Sequence, residues 1–331
     1  MKVAINGFGR IGRLVLRCGI EEKEIEWIIN HPQGVESAEH LFKYDSVHGT
    51  YKGTVTHDAE HLIIDGKKVK IISQRVKPEQ LPWKKLGVEI VIESTGVFRT
   101  MEEAEGHIKA GAKKVIISAP GKGEIESFVC GVNTDKLAGS KSVIDNASCT
   151  TNCLMPAVQV LYENFGIKRG FMTTIHAYTA DQNIVDGTHK DPRRARAAAM
   201  NIVPTSTGAT KAVAKVIPAL KGKIEGKAIR VPVADGSLVE LTIETEKNTT
   251  IEEINKAMKK AAEGKLKGIL QYTEDPIVSS DIIGNKHSSV FDAELTKVVG
   301  GNLVQIVTWY DNEMGYSQRT VDLVKEVAKR K

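Results

Sequence analysis

Three glycines close to the start of the chain, Gly7, Gly9 and Gly12, restrict its fold more than any other feature. They stand between a strand-like apolar run, Val3-Ala4-Ile5, and a helix-compatible run, Arg13-Leu14-Val15-Leu16-Arg17. A second apolar strand, Ile25-Glu26-Trp27-Ile28-Ile29, follows. A lone G-x-G-x-x-G is weak evidence. Between a strand and a helix it gains a physical meaning, because glycines permit the tight turn and let a pyrophosphate approach the helix N-terminus. The alternative is a glycine-rich turn without a ligand.

The fingerprint predicts an acidic residue about 20 positions on, at the end of the second strand, to hold the adenosine ribose. That strand ends here in Asn30-His31-Pro32-Gln33-Gly34, and the first carboxylate after it is Glu36. A carboxylate at that place would repel a 2′-phosphate, so its replacement leaves room for NADP. The competing reading keeps NAD, bound through backbone groups and Asn30. Val88 to Glu93 reads as a further strand running into Ser94-Thr95-Gly96, Met101 to Ala110 as a helix, and Lys114 to Ser118 as another strand. Strands that end in small or hydroxyl residues suit a ligand lying across the carboxyl ends of a parallel sheet.

A chain of 331 residues is longer than one core usually organises, and two domains are expected. Hydrophobic content of 41% and charged content of 26% exclude disorder and coiled coil. The four cysteines, Cys18, Cys130, Cys149 and Cys153, make neither a secreted disulfide framework nor paired Cys-x-x-Cys clusters, so a reducing compartment and no metal site are inferred. The chain opens directly on a strand and holds no long apolar stretch, which reads as a cytoplasmic protein with no membrane partner. A formal charge of +5, with both signs interspersed, does not indicate nucleic acid and suits anionic small molecules.

Cys149 follows the apolar Val143-Ile144 and opens a helix-compatible run. A thiol near a helix start sits where unpaired N–H groups favour the thiolate. The competing reading is a small, buried, inert cysteine. Phe171 to Tyr178 is strand-like and carries His176, a partner for the thiol or a structural histidine. The long connection from Thr179 through Arg193-Arg194-Ala195-Arg196 reads as functional or as an interface element. Pro204 to Thr210 then sets hydroxyls and Gly208 before a helix, either as an anion site or as ordinary capping. Ala228 to Val233 and Ser237 to Glu244, joined by Asp235-Gly236, read as a hairpin in an antiparallel sheet. Thr250 with Glu253 opens a helix, and the final helix carries Val321, Val324 and Val327 on one apolar stripe.

Asn6 to Arg13, Lys43-Tyr44-Asp45-Ser46, Ser148 to Cys153, His176 to Thr179 and Trp309 to Glu313 together resemble phosphorylating glyceraldehyde-3-phosphate dehydrogenases along the whole chain. The resemblance implies a Rossmann-type doubly wound parallel sheet with a second, α+β catalytic domain on a mostly antiparallel sheet. The dinucleotide domain would span residues 1–148, rejoined by the C-terminal helix at 316–331, with a catalytic domain at 149–315. It implies a homotetramer whose loop from Thr179 to Met200 lies near a neighbouring subunit's cofactor.

The implied reaction oxidises D-glyceraldehyde 3-phosphate with NAD or NADP and inorganic phosphate, through a thiohemiacetal and a thioester on Cys149, with His176 as acid and base. Thr179, Asp181 and Arg230 would hold the substrate's phosphate. Ser148, Thr150, Thr207, Gly208 and Arg194 would hold the attacking one. Gly7, Phe8, Gly9, Arg10, Ile11, Asn30, His31, Arg75, Thr95, Gly96, Ser118, Gly187, Thr188 and Asn312 would meet the cofactor. NAD-specific members carry Asp where this chain has His31, and commonly Leu-Pro where it has Gly187-Thr188. Both departures make room for a 2′-phosphate. Cys153 reads as structural, with a disulfide to Cys149 under oxidation as the alternative. Erythrose-4-phosphate oxidation, or a catalytically silent scaffold that binds RNA, are the competing functions. Glycolytic and gluconeogenic directions are both left open.

Overall fold

Val3, Ala4 and Ile5 are completely buried, as expected of a strand covered on both faces. The computed structural model describes residues 1–330, and these divide into two units. One holds Met1–Phe128, Thr134–Ala147 and the chain from Ser317 onward, and the other holds Val129–Asn133 and Ser148–Tyr316.

The first unit contains strands β1 (Lys2–Asn6), β2 (Glu26–Asn30), β3 (Val55–His57), β4 (His61–Ile64), β5 (Lys67–Ile72), β6 (Ile90–Glu93), β7 (Lys114–Ile117), β8 (Glu126–Ser127) and β9 (Val143–Asp145). Among the described residues they form one sheet, in the order β3-β4-β5-β2-β1-β6-β7-β9-β8. From β5 to β8 every pairing is parallel, and β3 and β4 add an antiparallel edge. Helices α1 (Arg10–Gly19), α2 (Gly34–Lys43), α3 (Trp83–Leu86) and α4 (Met101–Lys109) lie in the connections. Because β1 neighbours both β2 and β6, the strand order reverses there. Crevices for ligands open at such a point, outside the carboxyl ends of the strands. The carboxyl ends concerned are Asn6 and Glu93.

The second unit opens with α5 (Cys149–Phe165) and holds β10 (Arg169–Ala177), β11 (Val203–Thr205), α6 (Ala209–Val216), β12 (Ile224–Val231), β13 (Ser237–Glu244), α7 (Ile251–Glu263), β14 (Leu270–Thr273), β15 (Ser289–Val299) and β16 (Leu303–Tyr310). Its sheet runs β11-β12-β10-β13-β16-β15-β14, mostly antiparallel. Buried and half-buried residues alternate along β13, so one face is covered. Helix α5 packs against β15 and β16. The final helix, α8 (Met314–Lys329), buries Val321, Val324 and Val327. No helix among the described residues is long and apolar enough to cross a membrane.

The expected hairpin at Asp235-Gly236 is not one. β12 pairs in parallel with β10, and β13 pairs antiparallel with the other side of β10. Gly236 supplies a left-handed bend, at φ +86, where a Cβ would lie 2.2 Å from the carbonyl oxygen of Ser279. The local signal marked the bend correctly, but strand β10 occupies the place between its two arms.

Candidate active site and cofactor cavity

The thiol is presented by a cap. Asp145 Oδ1 accepts the N–H of Ala147 at 2.7 Å, and Ala147 takes the left-handed conformation at φ +52. Such a backbone costs a residue with a Cβ roughly 1–2 kcal/mol. The chain then turns into α5, whose N-cap is Ser148. Its Oγ accepts the N–H of Thr151 at 3.0 Å. Cys149 is the first residue of the helix and is half-buried, whereas Cys153 is fully buried against Thr308 and its thiol is pushed far up by burial.

His176 reaches the thiol from β10, with Nε2 at 3.4 Å from Sγ. Its Nδ1 lies 2.7 Å from the carbonyl oxygen of Ala177, a contact that requires a proton on Nδ1. Nε2 is therefore the acceptor turned toward sulfur. The Tyr310 ring stands edge-on to the imidazole, at 5.8 Å and 82°. Its hydroxyl is 2.9 Å from both Thr150 Oγ1 and Thr174 Oγ1. The parallel register of β10 and β12 sets Arg230 beside His176. Arg230 Nη1 donates to Ala177 O and Thr179 Oγ1, both at 3.1 Å.

Burial pushes the Cys149 thiol up, against the opposing charge of Arg230 and the N–H of Thr150. Burial and then Arg230 push the imidazole down, to about 3. Neither group ionises readily alone. The helix start by itself does not secure the thiolate that the sequence suggested, because desolvation outweighs it. Passing the proton from Sγ to Nε2 leaves the pair's net charge unchanged. It sets opposite charges 3.4 Å apart, an attraction of about 5 kcal/mol at an effective dielectric of 20. The pair can therefore exchange a proton internally.

Arg194 is held by a built frame. Nε donates to Thr205 Oγ1 at 3.0 Å and Nη2 to Ser206 O at 3.2 Å, while Nη1 meets Asp181 Oδ2. Thr205 in turn donates to Asp191 Oδ2 at 2.6 Å. Asp181 thus serves an arginine, which suits a carboxylate better than contact with a phosphate. Thr207 Oγ1 accepts the N–H of Ala209 at 3.2 Å, and Gly208 is the N-cap of α6 with open space on its Cβ side. The charge of Arg194 is felt at His176, after that of Arg230. Two cations therefore bear on the thiol–imidazole pair.

In the first unit a cavity of about 510 Å³ opens at the strand reversal. Gly7, Phe8, Gly9, His31, Arg75 and Thr95 line it, as do Ser94, at a strand end that the sequence marked for a ligand, and Arg13 and Ser37, which sequence reasoning did not assign to the cofactor. Gly7 sits at φ +97, and a Cβ on Gly12 would lie 2.2 Å from the Gly7 carbonyl oxygen, so the turn and helix meet too closely for any side chain. His31 is buried, 3.1 Å from Ser37 Oγ and edge-on to Phe8. Burial, then the charge of Arg13, hold its pKa below the ordinary value. Among the described residues, no carboxylate lines the cavity.

Other expected cofactor residues have hydrogen-bond partners of their own. Arg10 is paired with Asp45, and Asn30 spends its amide on Asn6 and Gln74. Ser118 Oγ donates to Ser94 Oγ at 3.0 Å. Neither these three nor Ile11 and Gly96 line the cavity. In the second unit, Asn312 Oδ1 accepts from Ser237 Oγ at 2.6 Å. The Gly187 N–H is bonded to Ala195 O, and Thr188 is exposed.

A doubly wound sheet with a glycine-rich turn, and a separate unit carrying a thiol–imidazole pair, are the equipment of a nicotinamide-dependent oxidoreductase. Residues 1–101 match the glyceraldehyde 3-phosphate dehydrogenase NAD binding domain, and residues 148–312 match the C-terminal domain of the same family. Glyceraldehyde-3-phosphate dehydrogenase 1 of Kluyveromyces marxianus is 54% identical over 99% of this chain and 100% of its own length. Glyceraldehyde-3-phosphate dehydrogenase 1 of Bacillus subtilis is 54% identical over 100% of this chain and 99% of its own, and that of Saccharomyces cerevisiae is 51% identical over 99% of each. The chain belongs to the glyceraldehyde-3-phosphate dehydrogenase family.

Proposed function

We propose that this protein oxidises D-glyceraldehyde 3-phosphate, with inorganic phosphate and NAD or NADP, to 1,3-bisphosphoglycerate, and that it uses NADP well. The observation that carries the reading is the 3.4 Å contact between Cys149 and His176, on which the charges of Arg230 and Arg194 both act.

His176 Nε2 takes the thiol proton as Sγ adds to the aldehyde carbon, and returns it to the oxyanion to give a thiohemiacetal on Cys149. A nicotinamide held in the cavity lined by Gly7, Gly9 and Thr95 would supply an acceptor for the hydride that leaves this carbon. As it leaves, Nε2 again takes the hydroxyl proton and a thioester remains on Cys149. A phosphate oxygen then attacks the thioester carbonyl, the C–S bond breaks, and the thiolate is released beside the imidazolium. Arg230 with Thr179 would hold the phosphate of the substrate. Arg194, oriented by Asp181, would hold the attacking phosphate together with Thr207, Gly208 and the capped start of α5 at Ser148 and Thr150.

Support for NADP comes from the cavity lining. Arg13, His31 and Arg75 offer positive or protonatable groups, Ser37 a hydroxyl, and no carboxylate stands there to repel a 2′-phosphate. A homotetramer would cover the apolar side chains left in solvent on the second unit, including Phe171, Ile184, Met200 and Ile202. Light scattering reads that assembly directly. Appearance of reduced nicotinamide with the aldehyde and each dinucleotide, with and without inorganic phosphate, tests the reaction. Turnover indifferent to phosphate overturns it, and an NAD efficiency tenfold above that of NADP overturns the cofactor reading.

A further inference from the structure

A carboxylate is buried at the strand reversal, where β1 and β6 part. Glu93, the last residue of β6, is 2% exposed. Four donors converge on it. Oε1 accepts the N–H of Thr95 at 2.8 Å and also its hydroxyl. Oε2 accepts from Asn6 Nδ2 at 2.6 Å and from His107 Nε2 at 2.9 Å.

The donor direction of the whole chain is determined. The Trp83 indole N–H can only donate, and it points at His107 Nδ1 from 2.9 Å, so the imidazole proton lies on Nε2 and faces Glu93. From the other side, Asn30 Nδ2 donates to Asn6 Oδ1 at 2.8 Å, and Asn6 donates onward to Glu93. Trp83, His107, Asn6 and Asn30 are all buried. Glu93 is the acceptor on which both arms end.

Burying a carboxylate is costly even when it is fully bonded, and a negative charge beside an anion-binding turn is costlier still. What Glu93 provides in return is position. One oxygen holds Thr95, on one wall of the cavity. The other holds Asn6, whose next residue, Gly7, also lines the cavity. The two segments meet closely, since a Cβ on Gly7 would lie 2.8 Å from Thr95 N.

We propose that Glu93 is a positioning residue for dinucleotide binding, clamping the glycine-rich turn after β1 to the Ser94-Thr95 turn after β6, with His107 and Trp83 setting the carboxylate's orientation from behind. The inference rests on the reading of this cavity as the dinucleotide site. A glutamine cannot replace Glu93 without conflict. Its amide group would face either the Thr95 N–H or the paired donors of Asn6 and His107, so at least one contact is lost in either orientation.

The test is calorimetric titration of full-length wild type, Glu93→Gln and Val91→Ala with NAD and NADP, together with steady-state kinetics and thermal melts. Val91 is buried on the same strand and serves as the packing control. Glu93→Gln should raise the dinucleotide Kd tenfold or more, keep kcat at saturating dinucleotide within about threefold, and leave the aldehyde KM unchanged. Val91→Ala should lower the melting temperature and keep Kd within twofold. If Glu93→Gln melts lower and still binds within twofold of wild type, the proposal is wrong while the cavity reading stands. Should Glu93→Gln not fold, His107→Phe decides by the same split, and a Kd within twofold overturns the proposal. Wild type that binds neither dinucleotide overturns both.

Discussion

Cys149 Sγ and His176 Nε2 lie 3.4 Å apart, and the other imidazole nitrogen is locked as a donor to its neighbour's carbonyl oxygen, 2.7 Å away. That tautomer makes His176 a proton acceptor for the thiol. With His176→Asn the acceptor is gone, and burial, the largest influence on the thiol, is countered by Arg230 and Thr150 alone. The pH midpoint for alkylation of Cys149 by iodoacetamide should then move above the ordinary thiol value of about 8.5, while wild type reacts at lower pH. Loss of the acid–base group should cut kcat by about 10²–10⁴. An alkylation profile identical to that of wild type would remove His176 from this role.

Arg230 donates to Thr179 Oγ1 and stands beside the imidazole. Arg230→Ala takes away a half-buried cation that, on the proposed reading, would face the substrate's phosphate. The KM for the phosphorylated aldehyde should rise tenfold or more, that is by at least about 1.4 kcal/mol of binding. Initial rates over a range of aldehyde concentration read this. An unchanged KM would place the substrate phosphate elsewhere.

His31 forms part of a cavity wall without carboxylates. His31→Asp puts a negative charge where a 2′-phosphate would rest, and offers NAD the acceptor that ribose hydroxyls favour. The ratio of kcat/KM for NADP to that for NAD should fall at least tenfold. A ratio that stays put shows that the adenosine ribose does not approach this wall.

Asp235 is buried beside Asp311, and burial, then the charge of Asp311, push its carboxyl up to about 9. Below the ordinary value of 3.8, folded and unfolded chains are both protonated at this site. Between there and about 9 the unfolded chain has released a proton that the folded chain keeps, so this site lowers stability progressively as pH rises across that window. An asparagine does not titrate. The melting temperature of Asp235→Asn relative to wild type should therefore be more favourable at pH 8 than at pH 6. Calorimetric melts at the two pH values check it, and an equal difference at both would show that Asp235 is ionised throughout.

The parallel sheet was legible because its central strands are buried on both faces and read as unbroken apolar runs, as in Ile90-Val91-Ile92. The helix start at Cys149 was legible because Ser148 is a local cap. What escaped was fixed by distant partners. Arg10 stands inside the glycine-rich stretch yet turns to Asp45. Asn30 ends its strand at the expected place but is consumed by Asn6 and Gln74. Tyr310 reaches Thr150 across 160 residues of chain, a link with no local signature. Glu93 closes an apolar strand, and nothing beside it in the sequence announces the donors that Asn6 and His107 bring to it. Asp235-Gly236 carried a true bend signal that implied the wrong strand pairing, because which strand fills a gap is decided by the sheet and not by the turn.

The first unit takes its closing segment from the far end of the chain. Lys325 is paired with Glu22 at 2.9 Å, and Asn146 Nδ2 donates to Thr320 Oγ1 at 3.0 Å. A ribosome makes the glycine-rich turn some 300 residues before Thr320 and Lys325. The nascent dinucleotide-binding sheet must therefore wait, with Asn146 and the face that takes Val321 and Val324 uncovered, until the whole second unit has emerged. Folding of this protein during synthesis is accordingly not a simple N-terminal-first process, and shortening its C-terminus should harm the unit that was translated earliest.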